Sequence, residues 1–189
     1  IIRDAMLVAS GSLETGVGGE LENWWKEAQS PVDAKRGLIA LGNPAGDLTA
    51  FESKRRSVYL PVSRNQLFEM FVLFDYADAS SVIARRGETT VAPQALFMLN
   101  SRHVRRPARD FAESLLAARV EDRERVHLAH RRAFGRRAEA AEVAEALGFI
   151  LSFVTAKTSA GIEAAEAQVL AWQSYAQVLF CQNEFVYVE

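Results

Sequence analysis

The feature that most constrains the fold is the spacing of apolar residues after residue 89, where they recur every three to four positions through consecutive segments. That period matches one face of an α-helix. Short turns separate the segments, and helices joined by short turns pack as antiparallel neighbours. The sequence therefore predicts a mainly α fold, a bundle of about five to six helices.

Each helical segment has a predicted inner face. The first begins at Thr89 or Thr90 as N-cap, tolerates Pro93 in its first turn, and ends or bends at Pro107. Gly135 is expected to stop the helix over residues 122–134. The predicted inner residues are Leu96, Leu99 and His103; Phe111, Ala112 and Leu115; Val126, Ala129, Ala133 and Phe134; Val143, Ala146, Leu147, Ile150, Leu151 and Val154; Val169, Trp172, Ala176 and Leu179.

The N-terminal third has a different pattern. Four glycines among residues 11–20 indicate a loop, and residues 21–54 continue without regular periodicity. Ser57 to Val62 is predicted as an edge strand or an extended crossing segment. A central strand is disfavoured because Pro61 has no backbone N–H to donate to a neighbouring strand. Residues 65–75 follow as a short buried helix, and residues 185–188 form a second extended segment or tail.

We therefore predict one domain over residues 1–189, with a loop-rich part at 1–64 and the bundle at 65–189. Because the sequence opens at Ile1 within an apolar pattern and without a start Met, we expect it to be a fragment of a longer chain. The sequence contains no apolar run of the ~18 residues that a membrane span requires.

Charge is distributed unevenly although the net charge is only −2. Residues 102–137 carry eleven arginines and five acids, whereas residues 138–189 carry one lysine and seven acids. Opposite signs on consecutive helices indicate pairing across a helix interface, with Arg123, Arg131 and Arg132 facing Glu139, Glu142 and Glu145. The alternative is an arginine surface for phosphates, sulfates or nucleic acid. Nearby acids and the lack of interleaved aromatics disfavour nucleic acid.

No catalytic constellation is recognised, so whether the chain is an enzyme stays open. Cys181 is the only cysteine, which excludes an internal disulfide and a thiolate zinc site, and we expect it to be a small buried thiol. His127 and His130 share a helix face, but no third ligand accompanies them and no metal site is predicted. Asp75 and Asp78 are interpreted as a loop cap and a surface acid rather than a catalytic pair.

Polar residues near residues 55–64 and 85–94 are the candidate ligand site. If buried, they need partners, and Arg86 with Asp75 is the favoured ion pair. Two interpretations stay open: the residues fasten the loops onto the helices, or they form a pocket that binds a ligand. The candidate ligand-binding residues are Arg56, Tyr59, Arg64, Arg86, Thr90 and Gln94.

Five blocks of sequence carry a family resemblance. They are IIRDAMLVASGSLE (1–14), RRSVYLPVSRN (55–65), LFDYADAS (73–80), RRGETTVAPQALFMLN (85–100) and QNEFVYVE (182–189). In this order they resemble the C-terminal part of the planctomycete domain of unknown function 1553. The resemblance covers nearly the whole chain.

The resemblance implies which domains accompany this one and where the protein is located, but it implies no particular reaction. Members of that family are large exported proteins, often with a cytochrome c-like domain. We therefore expect an exported, periplasmic or cell-envelope protein, with no cofactor in this domain and haem c elsewhere in the parent chain. The expected role is a non-catalytic structural or interaction module. Its expected partners are other domains of the parent chain and a c-type cytochrome. The alternative role is binding or processing of an anionic glycan by the Arg/Tyr cluster.

Overall fold

A computed structural model describes residues 2–19, 53–60, 67–77 and 91–187 of the 189-residue chain. The described residues are mainly helical and contain no β-strand, which confirms the predicted fold class. Their helices are α1 (Ile2–Ser10), α2 (Glu69–Leu73), α3 (Ala92–Asn100), α4 (Arg102–Ala117), α5 (Asp122–Phe134), α6 (Ala140–Ser159), α7 (Ala164–Phe180) and α8 (Asn183–Val186). None of the helices in these ranges combines the length and the apolar character of a membrane span.

The chain divides into two compact units. The helical unit comprises Ile1–Leu13 and Ala95–Glu189, and the second unit comprises Glu14–Gln94. We predicted a single domain with a loop-rich part at residues 1–64 and a helical bundle at residues 65–189. That organisation stays a prediction. Helix α1 belongs to the helical unit although it precedes the loop-rich region in sequence.

The core of the helical unit lies where α7 packs between α4 and α6, with α1 against α4 and α5. Small residues on α7, Ala167, Ala171 and Ala176, are fully buried and allow the neighbouring helices to approach closely. Trp172 and Phe111 are the largest buried side chains. Phe111 stacks on Phe180, with ring centroids 5.7 Å apart. This helix triad is the scaffold on which the polar groups described below are placed.

Most predicted inner residues of the later helices are buried. Phe111, Ala112 and Leu115 are fully inaccessible, as are Val126 and Ala129. Gly135 ends α5 with φ of 75°, the left-handed conformation that the sequence predicted for a C-terminal stop. A capping box starts α6, in which Glu139 and Glu142 satisfy each other's backbone N–H groups.

Helix α3 corrects the prediction for its inner face. Leu96 and Leu99 are 59% and 56% exposed, whereas Phe97 and Met98 are buried. His103 does not share their helix, because α3 ends at Asn100 and Ser101 caps α4 by accepting a hydrogen bond from the His103 N–H. Ser101 is extended between the two helices, so the helical stripe drawn from Leu96 and Leu99 does not continue to residue 103. The break therefore precedes Pro107, which lies buried inside α4.

Several residues of the later helices are less buried than predicted. Leu151 is 68% exposed. Leu147, Val154, Val169, Ala133 and Phe134 are only half-buried. Cys181 is half-buried rather than buried, and its burial raises the pKa of the thiol. The predicted C-terminal extended segment is wrong over Phe185 and Val186, which lie in the short helix α8, whereas Tyr187 after the helix is extended. Phe185 packs on Phe180, with ring centroids 4.9 Å apart.

In the second unit, the predicted strand at Ser57 is wrong over its first residues. Ser57–Tyr59 is a single 3₁₀ turn, and only Leu60 is extended, as a residue before proline must be. Val58 is 73% exposed and Leu60 is buried against Phe68. The predicted helix over residues 65–75 is the shorter α2, with Met70 buried and Leu67, Phe71 and Phe74 half-buried. Residues 61–62 of the predicted extended segment and residues 65–66 of the predicted helix lie outside the described residues.

Candidate functional site

Two of the six candidate ligand residues lie at the 3₁₀ turn: Arg56 directly precedes it and Tyr59 ends it. The Tyr59 hydroxyl accepts a hydrogen bond of 2.8 Å from the backbone N–H of Gly18. The guanidinium of Arg55 lies 3.9 Å from the centre of the Tyr59 ring and donates to the Gly18 carbonyl. Arg56 is exposed to solvent. Tyr59 therefore fastens the glycine loop to the turn.

A third candidate, Gln94, is buried and bonded at both ends of its amide. Its Oε1 accepts from the Val91 N–H at 3.2 Å, and its Nε2 donates to the Leu73 carbonyl at 2.7 Å. The side chain thus caps the start of α3 and holds the end of α2. The remaining candidates, Arg64, Arg86 and Thr90, lie outside the described residues, as does the predicted pair of Arg86 with Asp75. A ligand-binding role for the six stays a prediction.

A polar network that the sequence only partly indicated lies at the C-terminal end of α5. The guanidinium of Arg136 donates two hydrogen bonds to Glu142, at 2.7 and 2.9 Å, and two to Glu184, at 2.7 and 2.8 Å. Bidentate arginine–carboxylate pairs are strong and directional. The hydrogen bonds from Arg136 lower the pKa of Glu142 to about 2, and they also lower the pKa of Glu184. One arginine thereby ties the α5–α6 loop to α6 and α8.

His130 extends this network into the core. The His130 side chain is buried, and its Nε2 is 2.9 Å from the Tyr175 hydroxyl. Its Nδ1 is 3.6 Å from a Glu142 oxygen. Burial lowers the pKa of His130, because the charged imidazolium is poorly solvated there, although the Glu142 carboxylate opposes this shift. Burial also raises the pKa of Tyr175. The ring is therefore neutral at pH 7 and bridges α5 to α7.

The sequence indicated this network through its charges: the net charge is positive over residues 102–137 and negative over residues 138–189. The predicted partner Glu142 is correct, but Arg136 reaches it instead of Arg123, Arg131 or Arg132. Arg131 pairs with Glu124 on its own helix, and Arg132 donates to the Ser114 hydroxyl. Helical periodicity could not identify Arg136, because it lies in the loop after α5.

Metal binding by His127 and His130 finds no support among the described residues, which contain no group of three potential metal ligands. The two histidines have different surroundings. His130 Nε2 contacts Tyr175, and within the described ranges the buried Nδ1 atoms of both histidines have no hydrogen-bond partner.

A groove of about 310 Å³ crosses the surface of the helical unit. One face of α7 forms its floor, α6 forms one wall, and the junction of α3 with α4 forms the other. Its lining residues are Leu99, Asn100, Arg105, Phe153, Lys157, Leu170, Gln173, Ser174 and Gln177. The volume lies near the lower end of the range for ligand pockets.

The floor of the groove is anchored by two glutamine amides. Gln177 donates to the carbonyls of Met98 and Leu99 at the end of α3. Gln173 donates to the Arg105 carbonyl in α4 at 3.1 Å. These bonds satisfy carbonyls at the α3–α4 junction and fix the spacing between that wall and α7. The groove is therefore a built feature with a defined width.

Exposed apolar side chains continue both walls of the groove. On α3, Leu96 lies one turn before Asn100, which donates to the Leu96 carbonyl. On α6, Phe149 is 39% exposed and its ring lies 5.8 Å from that of Phe153. We call the surface formed by Leu96, Leu99, Phe149, Phe153 and Leu170 the apolar trough. The sequence predicted Leu96 and Leu99 as core residues, so helical spacing identified their shared stripe but assigned it to the interior.

Comparisons with known proteins give one result. A family profile described as "PSD1: Protein of unknown function (DUF1553)" matches residues 1–150. Comparisons with curated proteins and with solved structures give no significant match.

Proposed function

The chain belongs to the DUF1553 family of proteins of unknown function, and on this premise we propose that it is a helical interaction module that binds another protein through the apolar trough. The observation that carries the proposal is the exposure of Leu96 and Leu99 at 59% and 56% on a helix whose other large apolar side chains, Phe97 and Met98, are buried. Contiguous exposed apolar side chains are typical of interaction sites.

The energetic argument follows from the leucines themselves. Fully burying a leucine side chain contributes about 1.5–3 kcal/mol. Because each is already partly buried in this unit, covering both by a partner would contribute about 1 kcal/mol or more per side chain. Phe149 and Phe153 would add aromatic contact area on the opposite wall.

The internal bonds of Tyr59 and Gln94 also favour a structural role over a ligand pocket at those two residues. An anionic glycan at the Arg/Tyr cluster would therefore have to use Arg56, Arg64, Arg86 and Thr90 without the inner atoms of Tyr59 and Gln94. The proposed partner is another domain of the parent polypeptide, or a c-type cytochrome associated with it, in an exported or cell-envelope protein. These identities rest on the family resemblance, with haem c supplied outside this domain.

The proposal is tested by mixing the chain with the separately expressed remainder of its parent polypeptide and measuring the Kd by isothermal titration calorimetry. Leu96→Glu and Leu99→Glu each place a carboxylate in the trough. We expect each to weaken binding at least about tenfold, since a charge buried without a partner costs more than the 1.4 kcal/mol of a tenfold change.

Val8→Glu is the matched control. Val8 is 60% exposed on α1, so the substitution changes charge and exposed apolar area in the same way on a different helix. Circular dichroism should show unchanged helix content in all three variants. If the remainder of the parent chain does not bind, or if L96E, L99E and V8E bind as tightly as the native chain, the trough is not the interaction surface.

A further inference from the structure

We propose that the segment bound in the apolar trough is an acidic amphipathic helix, whose apolar stripe packs on Leu99, Phe153 and Leu170 and whose carboxylates pair with Arg105 and Lys157. This inference rests on the proposed function, because it names the chemistry of the partner at the same surface.

The charge of the groove is the first argument. Arg105 lines one wall and Lys157 the other, and within the described part of the chain neither forms an ion pair. One turn after Arg105 on α4, by contrast, Arg109 is paired: it donates to Glu113 at 3.0 Å and to Glu166 at 3.3 Å. The groove thus carries two unpaired positive charges beside apolar side chains, in a chain whose net charge is −2. Acidic residues on a partner complement such a surface and exclude basic ones.

Lys157 is held at the rim of the groove. Its ammonium lies 5.3 Å from the centre of the Phe153 ring, which is within the range of a cation–π contact. This contact keeps the Lys157 charge beside the Phe153 ring. A partner that packs on Phe153 therefore meets the Lys157 charge at the edge of the same contact.

The shape of the groove favours a helix. The floor residues Leu170, Gln173, Ser174 and Gln177 follow the spacing i, i+3, i+4 and i+7, which is one face of two helical turns. Phe149, Phe153 and Lys157 repeat every four residues along α6 and form a wall about 12 Å long at 1.5 Å per residue. A trough between two helices above a third accepts a rod-like element, and helix-in-groove docking uses apolar anchors at this spacing.

The floor leaves some polar groups for the partner to meet. Gln177 Nε2 donates to two backbone carbonyls, whereas Gln173 Nε2 donates to one. Within the described residues, the second N–H group of Gln173 and the Oε1 atoms of both amides have no hydrogen-bond partner, and leaving such a group buried and unpaired costs about 1–3 kcal/mol. A bound helix therefore has to present polar side chains to the floor as well as carboxylates to Arg105 and Lys157.

The test uses a synthetic amphipathic peptide of about 18 residues, long enough to form helix, with a leucine stripe flanked by glutamates. A matched peptide carries lysine in place of each glutamate. Fluorescence anisotropy measures the Kd of both for the full 189-residue chain and for the R105E/K157E double variant. Because both side chains lie at the surface or rim, the double variant should retain its fold, which circular dichroism checks.

We expect the native chain to prefer the glutamate peptide by at least about tenfold, and R105E/K157E to prefer the lysine peptide, since like charges juxtaposed at an interface are strongly disfavoured. Equal affinities for the two peptides, or a preference that R105E/K157E does not invert, would overturn the proposal. A third peptide, with serine in place of leucine, separates a helix partner from a simple anion. If it binds as well as the leucine peptide, and inorganic sulfate displaces both, the groove is an anion site and the helix proposal is wrong.

The two sets of variants distinguish a failure of the acidic-helix proposal from a failure of the proposed interaction function. If L96E and L99E weaken binding of the parent chain while R105E/K157E does not, the trough remains an interaction surface and only the acidic partner is refuted. If neither set of variants affects binding of the parent chain, the trough itself is refuted.

Discussion

Arg125 offers the sharpest test of the reasoning that polar residues in this chain act as internal fasteners. Its side chain is buried and reaches across the turn between α4 and α5. Nε donates to the Leu115 carbonyl at 2.9 Å and Nη2 to the Val120 carbonyl at 2.8 Å. Further donors reach the Ala118 carbonyl and the Asp122 carboxylate. One guanidinium thereby satisfies carbonyls that the end of α4 leaves unpaired.

The perturbation is Arg125→Ala, and its cost follows from these bonds. A hydrogen bond from a charged donor contributes about 1.5–3 kcal/mol. Two bonds have good geometry, whereas the 3.4 Å bond to Ala118 is long and contributes little. Removing the guanidinium should therefore lower the free energy of unfolding by about 3–5 kcal/mol, the range expected when one partner of a buried charged network is deleted. Lost packing of its stem adds to this cost, because the Arg125 guanidinium lies 5.4 Å from the Trp172 ring centre.

The assay is urea unfolding followed by circular dichroism at 25 °C, with the midpoint and slope fitted for each variant. Arg125→Lys keeps the charge but presents one nitrogen to several acceptors, so we expect an intermediate loss. Arg123→Ala, at an exposed position two residues earlier on the same helix, is the control and should change stability by less than about 0.5 kcal/mol. If R125A loses no more than R123A, the capping role of Arg125 is refuted.

The remaining predictions concern two glycines and the dependence of stability on pH. Gly135→Ala should lower the free energy of unfolding by about 1–2 kcal/mol, because φ is 75° at this position. Gly148→Ala should raise it by about 0.5–1 kcal/mol, because the added methyl group points into open space on α6. Urea midpoints equal to that of the native chain would contradict both predictions. Burial lowers the pKa of His130, so the unfolded chain binds the proton first, and the free energy of unfolding should fall as pH drops through about 6.5. The H130Q variant should lose this step in urea midpoints measured between pH 8 and 5, and an unchanged slope would refute the assignment. A separate loss should appear between pH 4.5 and 2, where the Glu142 carboxylate that pairs with Arg136 is protonated.

The helices were predictable because their information is local. Apolar spacing of three to four residues and a glycine stop are properties of adjacent residues, so the predicted helix over residues 122–134 has the observed bounds of α5. The inner residues Phe111, Val126 and Trp172 followed from the same spacing, since a helix in a small unit turns its most apolar side inward.

The wrong predictions have one physical origin. The sequence does not show which elements pack against a helix, so it cannot show which of its faces is buried. Leu96 and Leu99 form an apolar stripe, but Phe97 and Met98 on the same helix offered a second one. Sequence spacing alone could not decide which of the two stripes faces the core. The predicted extended segment that begins at Ser57 is also wrong over Ser57–Tyr59, where the chain makes a 3₁₀ turn.

By itself, the sequence determined that this chain is a helix-rich member of its family, since periodicity and short motifs are carried by residues close together in the chain. Only the tertiary structure decided that Arg136 joins Glu142 to Glu184, that His130 meets Tyr175, and that two cations flank one apolar trough. Those pairs are separated by up to 48 residues in sequence. Their meeting depends on how the helices pack, and helical periodicity contains no information on which loop arginine will reach which distant carboxylate.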